Sequence, residues 1–245
     1  MTKTAQPEQH PINIGVPLHF DAAGVPIDRV CADQPQVAAA LLSEAGIQHR
    51  FQNPPVWQPE ITDENRHVIA ADIISQRKAA GKVTTAAVLI PLLLKPEGLS
   101  VLLTQRTDHL HDHAGQISFP GGRIDPEDSG PDDAALRESE EEIGLQRENV
   151  RIVGHLPQYL TVSGYSVTPV VGFVQPQSEY PLDAFEVADI FEVPLGFLMD
   201  PANHQVRVWQ SAQGSRRFYS MPYENRFIWG ATAGMLRNLY HLLKV

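Results

Sequence analysis

The sequence predicts an α+β fold, a mixed β-sheet held between helices, with a helical extension ahead of it. Three observations carry that prediction. Residues 84–94, TTAAVLIPLLL, form an apolar run of strand length, the pattern of a strand covered on both faces. Residues 131–143 carry helix limits: Pro131 suits the first helical position, Asp132 and Asp133 complement the positive end of the dipole, and Gly144 is a left-handed stop. Strand-like segments at 99–105, 150–160 and 167–175 flank that helix, and a helical pattern closes the chain at 227–243. Elements in this order stack as layers, with helices covering the faces of a sheet.

Taken in order, residues 1–33 are rich in Pro and polar residues and are expected to run as an extended arm. Over 34–46, Val37, Ala40, Leu41 and Ala45 follow helical spacing and Gly46 supplies a stop. Pro54, Pro55 and Pro59 exclude regular structure over 52–61. Asp63 is placed to cap a second helix carrying Val68, Ile69, Ala71, Ile73 and Ile74 as far as Gly81. These helices are expected to pack on the β-rich part, which divides the chain into an N-terminal arm and helical extension, 1–82, and a main domain, 83–245. In that domain Pro91 is expected to interrupt the first strand, and Pro96 and Gly98 turn the chain into the second. A weaker strand pair is predicted at 205–210 and 216–220 with Gly214 between, and Ile228, Ala231, Met235, Leu239 and Leu242 mark one face of the last helix.

Composition limits the function classes. A net charge of −10 and a pI near 5.4 exclude a general nucleic-acid binder, so a phosphate-rich ligand would be met by local basic groups and metal. The single cysteine, Cys31, excludes an intrachain disulfide and a cysteine metal cluster, and reads as an idle thiol. No run of eighteen apolar residues occurs and the first twenty lack the apolar stretch of a signal peptide; a cytoplasmic protein making no use of a membrane is expected.

The chemistry concentrates in the helix at 131–143. Glu138, Glu141 and Glu142 stand at i, i+3 and i+4 and share one face. Like charges at that spacing cost roughly 0.2–0.5 kcal/mol per pair, a penalty that a divalent cation removes. Hard oxygen ligands without His or Cys suit Mg²⁺ or Mn²⁺ rather than zinc. Upstream, Phe119-Pro120-Gly121-Gly122 lets bare backbone approach a ligand, and 123–130 is a loop of turn formers. The bland alternative is a solvated acidic face, since Glu138, Glu140, Glu141 and Glu142 are four glutamates among five residues. Against it stand Arg137 before the first glutamate, the bracketing Gly122 and Gly144, and Asp128 in the loop. His109, His111 and His113 have no partner motif, and a polar loop is favoured there over a zinc site.

The segment Arg137-Glu138-Ser139-Glu140-Glu141-Glu142-Ile143-Gly144-Leu145 resembles the second half of the Nudix box, the signature of metal-dependent hydrolases that cut a diphosphate linked to a nucleoside. Two departures are visible: Ser139 replaces the usual apolar residue, and Asp128 replaces the upstream Glu with one extra residue before Arg137. A second pattern runs into the box: Leu102-Leu103-Thr104-Gln105-Arg106, Leu110, His113, Gly115-Gln116 and Phe119-Pro120-Gly121-Gly122. It is similar to the signature of the coenzyme A diphosphatase branch. Similarity continues in Gly164-Tyr165-Ser166-Val167-Thr168-Pro169, from Phe185-Glu186-Val187 to Val193-Pro194-Leu195, and in Ile228-Trp229-Gly230-Ala231-Thr232. It covers roughly residues 83–245, with the box at about 122–145.

The resemblance implies a Nudix α/β/α sandwich and hydrolysis of coenzyme A, with its acyl or oxidised forms, to 3′,5′-ADP and 4′-phosphopantetheine. It places Mg²⁺ or Mn²⁺ on Glu138 and Glu142, with Glu141 completing the metal shell or acting as base. Arg137 would orient the glutamates and the Gly121–Gly122 backbone would supply a carbonyl ligand. Arg106 is a candidate phosphate contact, its planar fork matching phosphate oxygens, or else a surface strand Arg paired to an acid. Gln116 and Phe119 are candidates for shaping the pocket, although a Phe before Pro-Gly-Gly fits a core equally well. Tyr165, Phe218 and Tyr219 read as core aromatics before they read as a base or pantetheine contact. The expected partner is a small molecule, with no nucleic acid and no membrane, and homodimer formation is left open. The alternatives are a Nudix hydrolase of another nucleoside diphosphate derivative, such as a dinucleotide or nucleotide sugar, and a ligand sensor without catalysis.

Overall fold

The apolar run at 84–94 becomes the middle of a mixed sheet with helices on both faces. The protein is described here by a computed structural model covering residues 21–60, 83–109, 115–161, 163–211 and 214–244. In chain order its elements are β1 (Ile27–Val30), α1 (Glu44–Gln52), β2 (Thr84–Lys95), β3 (Gly98–Arg106), β4 (Ile117–Ser118), β5 (Gly121–Arg123) and α2 (Pro131–Ile143). There follow β6 (Val150–His155), β7 (Tyr159–Leu160), β8 (Tyr165–Val174), β9 (Val187–Pro194), the one-turn α3 (Leu195–Leu198), β10 (Gln205–Ser211), β11 (Gly214–Tyr223), β12 (Arg226–Trp229) and α4 (Gly230–Leu243).

The main sheet runs β4-β3-β2-β8-β6, with β5 on β2, β7 on β8 and β9 on β3. β2 and β8 are parallel, from Thr84 beside Tyr165 to Leu93 beside Val174, and the other pairs are antiparallel. Alternate residues of β2 supply two cores. Ala87, Leu89 and Leu93 meet Ala134, Ala135 and Ile143 of α2, and Ala86, Ile90 and Leu92 join Leu236, Leu239 and Tyr240 of α4 and Ile47 of α1. Full burial of each such leucine stabilises the fold by about 1.5–3 kcal/mol. The α+β class with a mixed sheet is thus as the sequence predicts.

Pro91 does not interrupt β2. Leu89 N donates to Pro120 O at 2.9 Å, so every second amide of β2 faces that edge. At Pro91 the same edge lies between the last β5 pair, Val88 with Gly121, and the first β3 pair, Leu92 with Val101. The missing N–H falls where no strand needs it.

A second sheet, β1-β10-β11-β12, is antiparallel throughout. Its inner face, with Val206, Tyr219, Met221 and Ile228, joins the α4 core, and its outer face packs Phe218, Trp209, Phe227 and Trp229 on Ala22 and Val25. The part of the chain upstream of residue 83 therefore contributes a strand, β1, to a sheet completed by residues 205–229.

Several boundaries differ from expectation. The helix expected over 34–46 is a 3-10 turn, Ala39–Leu42, followed by α1. Ser43 Oγ accepts from Gly46 N at 3.1 Å, so the N-cap lies inside the expected helix and Gly46 sits in the first turn instead of ending it. The strand expected over 150–160 divides into β6 and β7 around Pro157. The closing helix starts at Gly230, with φ 62°, because Phe227 and Trp229 alternate with Ile228 as a strand and Trp229 is fully extended. The helix expected over 63–81 and residues 1–20 of the arm lie outside the described residues.

Candidate active site

α2 forms over the expected residues and ends at Gly144, whose N–H bonds Glu140 O at 2.9 Å in the left-handed conformation, φ 60°. Its apolar side faces β2, which turns Glu138 and Glu142 toward the β5 strand. Glu142 is only 5% exposed, and Gly121 N donates to its Oε2 at 3.2 Å. Burial pushes its carboxyl up to about 8; the Gly121 N–H and Arg106 oppose the rise, and the charges of Glu138 and Glu186 add to it. Glu138 is likewise pushed up by burial, against the pull of Arg137. Gly121 holds φ 149°, and a Cβ there would come 2.4 Å from Ala87 O. A Cβ on Gly122 would stand 2.5 Å from the Glu138 carboxyl, so its bare backbone is what allows that carboxylate to lie against β5.

Arg137 organises the acids around it. Its Nε and Nη2 donate to the two oxygens of Asp128 at 2.9 and 3.0 Å, a bidentate pair that adds directionality to charge. Nη1 donates to Glu141 Oε2 at 3.0 Å and lies 3.1 Å from Glu138 Oε1, and Nη2 also reaches Arg123 O at 3.1 Å. The Arg137 bonds hold Asp128 below the usual carboxylate range although burial opposes them. Asp128 also accepts from Asp125 N at 2.8 Å, so the acid that departs from the box pattern ties the loop to α2. Ser139, the other departure, is buried and donates to Ala135 O at 2.6 Å, which satisfies its hydroxyl within the helix.

Of the sequence-predicted residues, Glu138, Glu142, Gly121, Gly122 and Arg106 come together. Arg106 Nη1 stands 3.9 Å from Glu142 Oε1, and Nη2 4.0 Å from Glu186 Oε2. Glu141 is paired with Arg137 and its side chain is 60% exposed. Gln116 is joined to Arg106 through the backbone, its carbonyl accepting from Arg106 N at 2.9 Å, and it lines a cleft of about 330 Å³ with Gln105, Asn225, Arg226, Phe227 and Trp229. Arg226 spans that side of the sheet by donating to Gln105 Oε1 and Asp189 Oδ2. Phe119 is a correction: its ring is buried in the α4-side core, so it anchors Pro120-Gly121-Gly122 from beneath and does not shape a pocket. Tyr165 accepts from Arg123 Nη2 at 3.1 Å, and Phe218 and Tyr219 are core aromatics. Burial raises the pKa of the Cys31 thiol, keeping it neutral and idle. His111 and His113 lie outside the described residues.

The residue that sequence reasoning missed is Glu186. Arg106 pairs with Val187 across β3 and β9, which sets the preceding Glu186 beside the Arg106 guanidinium. The loop is held on both sides: Asp183 N donates to Glu142 O at 2.9 Å, and Thr107 N to Glu186 O at 3.0 Å. The run Phe185-Glu186-Val187 was visible, but no local signal connects it to α2.

Among the described residues, no three His, Cys, Asp or Glu side chains are already gathered as a metal cage. The donor chemistry nevertheless fits a hard divalent cation. Glu142 and Glu186 share one guanidinium at 3.9 and 4.0 Å, beyond hydrogen-bond distance, and the carboxyl of Glu142 is pushed up by burial, with the neighbouring charges of Glu138 and Glu186 adding to the rise, which a cation beside it would oppose. Gly122→Ala is expected to displace Glu138 and lower turnover at least about ten-fold, the scale of a disturbed metal-ligand arrangement. Because the methyl meets the end of a flexible side chain and not backbone, the melting temperature should stay within a few degrees of wild type in a thermal scan. An unchanged rate would show that Glu138 does not need this seat.

Residues 83–212 match the NUDIX domain family model. NudL of Escherichia fergusonii, described as an uncharacterized Nudix hydrolase, is 43% identical over 155 residues, spanning 63% of this chain and 80% of that protein. NudL of Escherichia coli K12 matches with the same identity and coverage. Among solved structures, the Nudix hydrolase RenU from M. smegmatis aligns with a TM-score of 0.40 at 24% identity, over 46% of this chain and 71% of that chain. The NUDIX domain of Shewanella oneidensis NrtR, solved with ADP ribose, aligns with a TM-score of 0.40 at 20% identity, over 51% and 82%. With the family model matching over half the chain and a relative at 43% identity covered over four-fifths of its length, the protein belongs to the Nudix hydrolase family.

Proposed function

We propose that the protein hydrolyses the diphosphate bond of coenzyme A, with its acyl or oxidised forms, to 3′,5′-ADP and 4′-phosphopantetheine, using Mg²⁺ or Mn²⁺. The observation that carries this reading is the meeting of two motifs. Arg106, from the pattern that resembles the coenzyme A diphosphatase branch, stands 3.9 Å from Glu142 of the Nudix box.

In this reading Arg106 offers its fork to the diphosphate oxygens, and Glu138, Glu142 and Glu186 are the residues that would hold the cation. A bound Mg²⁺ or Mn²⁺ supplies Lewis-acid neutralisation of the charge that develops on the phosphate oxygens. Arg137 keeps Glu138 and Glu141 in place. The water oxygen bonds to phosphorus as the bridging oxygen leaves with the other phosphate, and the water proton passes to a carboxylate. Glu141, which is not among the three cation-holding acids and has a side chain 60% exposed, is the acid open enough to take it. The amides of Gln105, Gln116 and Asn225 in the cleft suit the pantetheine arm, which carries two amides. The net charge of −10 supports a small-molecule substrate over a nucleic acid.

The test is product analysis by mass spectrometry after incubation with coenzyme A, ADP-ribose and NADH, each with Mg²⁺ or Mn²⁺ and with a chelator control. Metal-dependent release of 3′,5′-ADP and 4′-phosphopantetheine from coenzyme A alone is expected. Cleavage of another compound instead would keep the hydrolase and overturn the substrate.

A further inference from the structure

We propose that Phe185, with His109 at its edge, is the stacking platform for the heteroaromatic base of the substrate's nucleoside half. This rests on the site taking a nucleoside diphosphate, and not on coenzyme A being the one it takes. Phe185 is 64% exposed. A lone exposed apolar residue needs no explanation, but this one is held in place by its surroundings. Its carbonyl accepts from Thr107 Oγ1 at 2.8 Å and its N–H donates to Asp183 Oδ1 at 2.9 Å. Asp183 N is bonded in turn to the Glu142 carbonyl at 2.9 Å, so the loop is fastened to both β3 and the acidic helix.

The next residue, Glu186, shares Arg106 with Glu142. A diphosphate gripped by Arg106 therefore brings the attached nucleoside to the rim that Phe185 occupies. His109 meets the Phe185 ring at 4.9 Å in an edge arrangement, so a base would join an existing aromatic pair. Stacking suits a purine because its whole face is a π-surface. The cleft at Gln105 and Arg226 also has aromatic walls, Phe227 and Trp229, but those rings are packed against Ala22, Val25 and Phe218 whereas Phe185 stands open, and the amides beside them suit a flexible polar arm.

The experiment is calorimetric titration of the full chain, in buffer containing MgCl₂, with AMP and with ribose 5-phosphate, which keeps the sugar phosphate and lacks the base. The wild type is expected to bind AMP more tightly than ribose 5-phosphate. Phe185→Ala should weaken AMP binding roughly five- to hundred-fold, the effect of removing one stacking partner, leave ribose 5-phosphate binding as it was, and recover with Phe185→Trp. The proposal is overturned if the wild type does not distinguish the two ligands, if Phe185→Ala binds AMP as the wild type does, or if it loses both ligands equally. Base-dependent binding together with failure to cleave coenzyme A would remove the substrate assignment and leave the platform standing.

Discussion

Glu142→Gln is expected to lower turnover on the order of 10³-fold, the effect of losing one preorganised charge-stabilising group, while raising the stability of the metal-free protein at neutral and alkaline pH. Glutamine keeps an acceptor for the Gly121 N–H and has no charge to bury. The pH dependence follows from burial, which lifts the Glu142 carboxyl in the folded protein from the ordinary 4.5 to about 8. The folded state therefore holds a proton that the unfolded chain has released between those values. Stability from this group is complete below pH 4.5 and is lost as pH rises through 8. The separation corresponds to roughly 3–5 kcal/mol, at about 1.4 kcal/mol per pKa unit, and to about 2–4 °C of melting temperature per kcal/mol in a chain of this size. Melting curves in chelator from pH 4 to 9 should fall across that window in the wild type and stay flatter in the variant. Equal slopes, or wild-type turnover, would refute the role assigned to Glu142.

Arg237→Ala is expected to cost about 3–5 kcal/mol of folding stability, the usual result of removing one partner of a buried ion pair. Arg237 is fully buried on α4. Its Nη2 donates to Glu60 Oε2 at 2.7 Å and Gln34 Oε1 at 2.9 Å, its Nη1 to His204 Nδ1 at 2.9 Å, and its guanidinium lies 4.8 Å from the ring centres of both Tyr219 and Tyr240. Burial holds His204 down near 4; it stays neutral, giving its Nε2 proton to Leu198 O at 2.6 Å. Burial alone would raise the Glu60 carboxyl, but the bonds to His241 and Arg237 outweigh it and hold the group at about 2.

That depressed value stabilises the fold above pH 4.5, and the contribution is lost as pH falls through 2. In the alanine variant Glu60 is left with less compensation, so urea unfolding should show both the loss at pH 7 and a weaker dependence on acid. Because Arg237 lies outside the Glu138–Glu142 cluster, turnover per folded molecule should be retained at a temperature where the variant is folded. A loss below about 1 kcal/mol would mean that the segment carrying Gln34 and Glu60 is held to α4 by packing alone.

How much of the molecule was legible depended on how far apart the deciding residues stand. α2 was readable to the residue because Pro131, Asp132, Asp133 and Gly144 act within one turn of its ends. The first 3-10 turn and the start of α4 were misread where a helical spacing competed with a local cap at Ser43 and with strand alternation at Phe227–Trp229. Pro91 could be placed in a strand only once its neighbours were known, since its missing N–H matters only where a partner strand lies opposite.

The sequence by itself determined the layered α+β class, the acidic face of α2 and the two motifs that border it, because periodicity, capping and spacing are properties of a few consecutive residues. Only the tertiary structure decided that Glu186 joins that face, that Phe119 belongs to the core while Phe185 stands in the open, and that buried Glu142 is pushed up to about 8. Those outcomes depend on cross-strand register and on burial, which arise when distant segments pack and which no local pattern encodes.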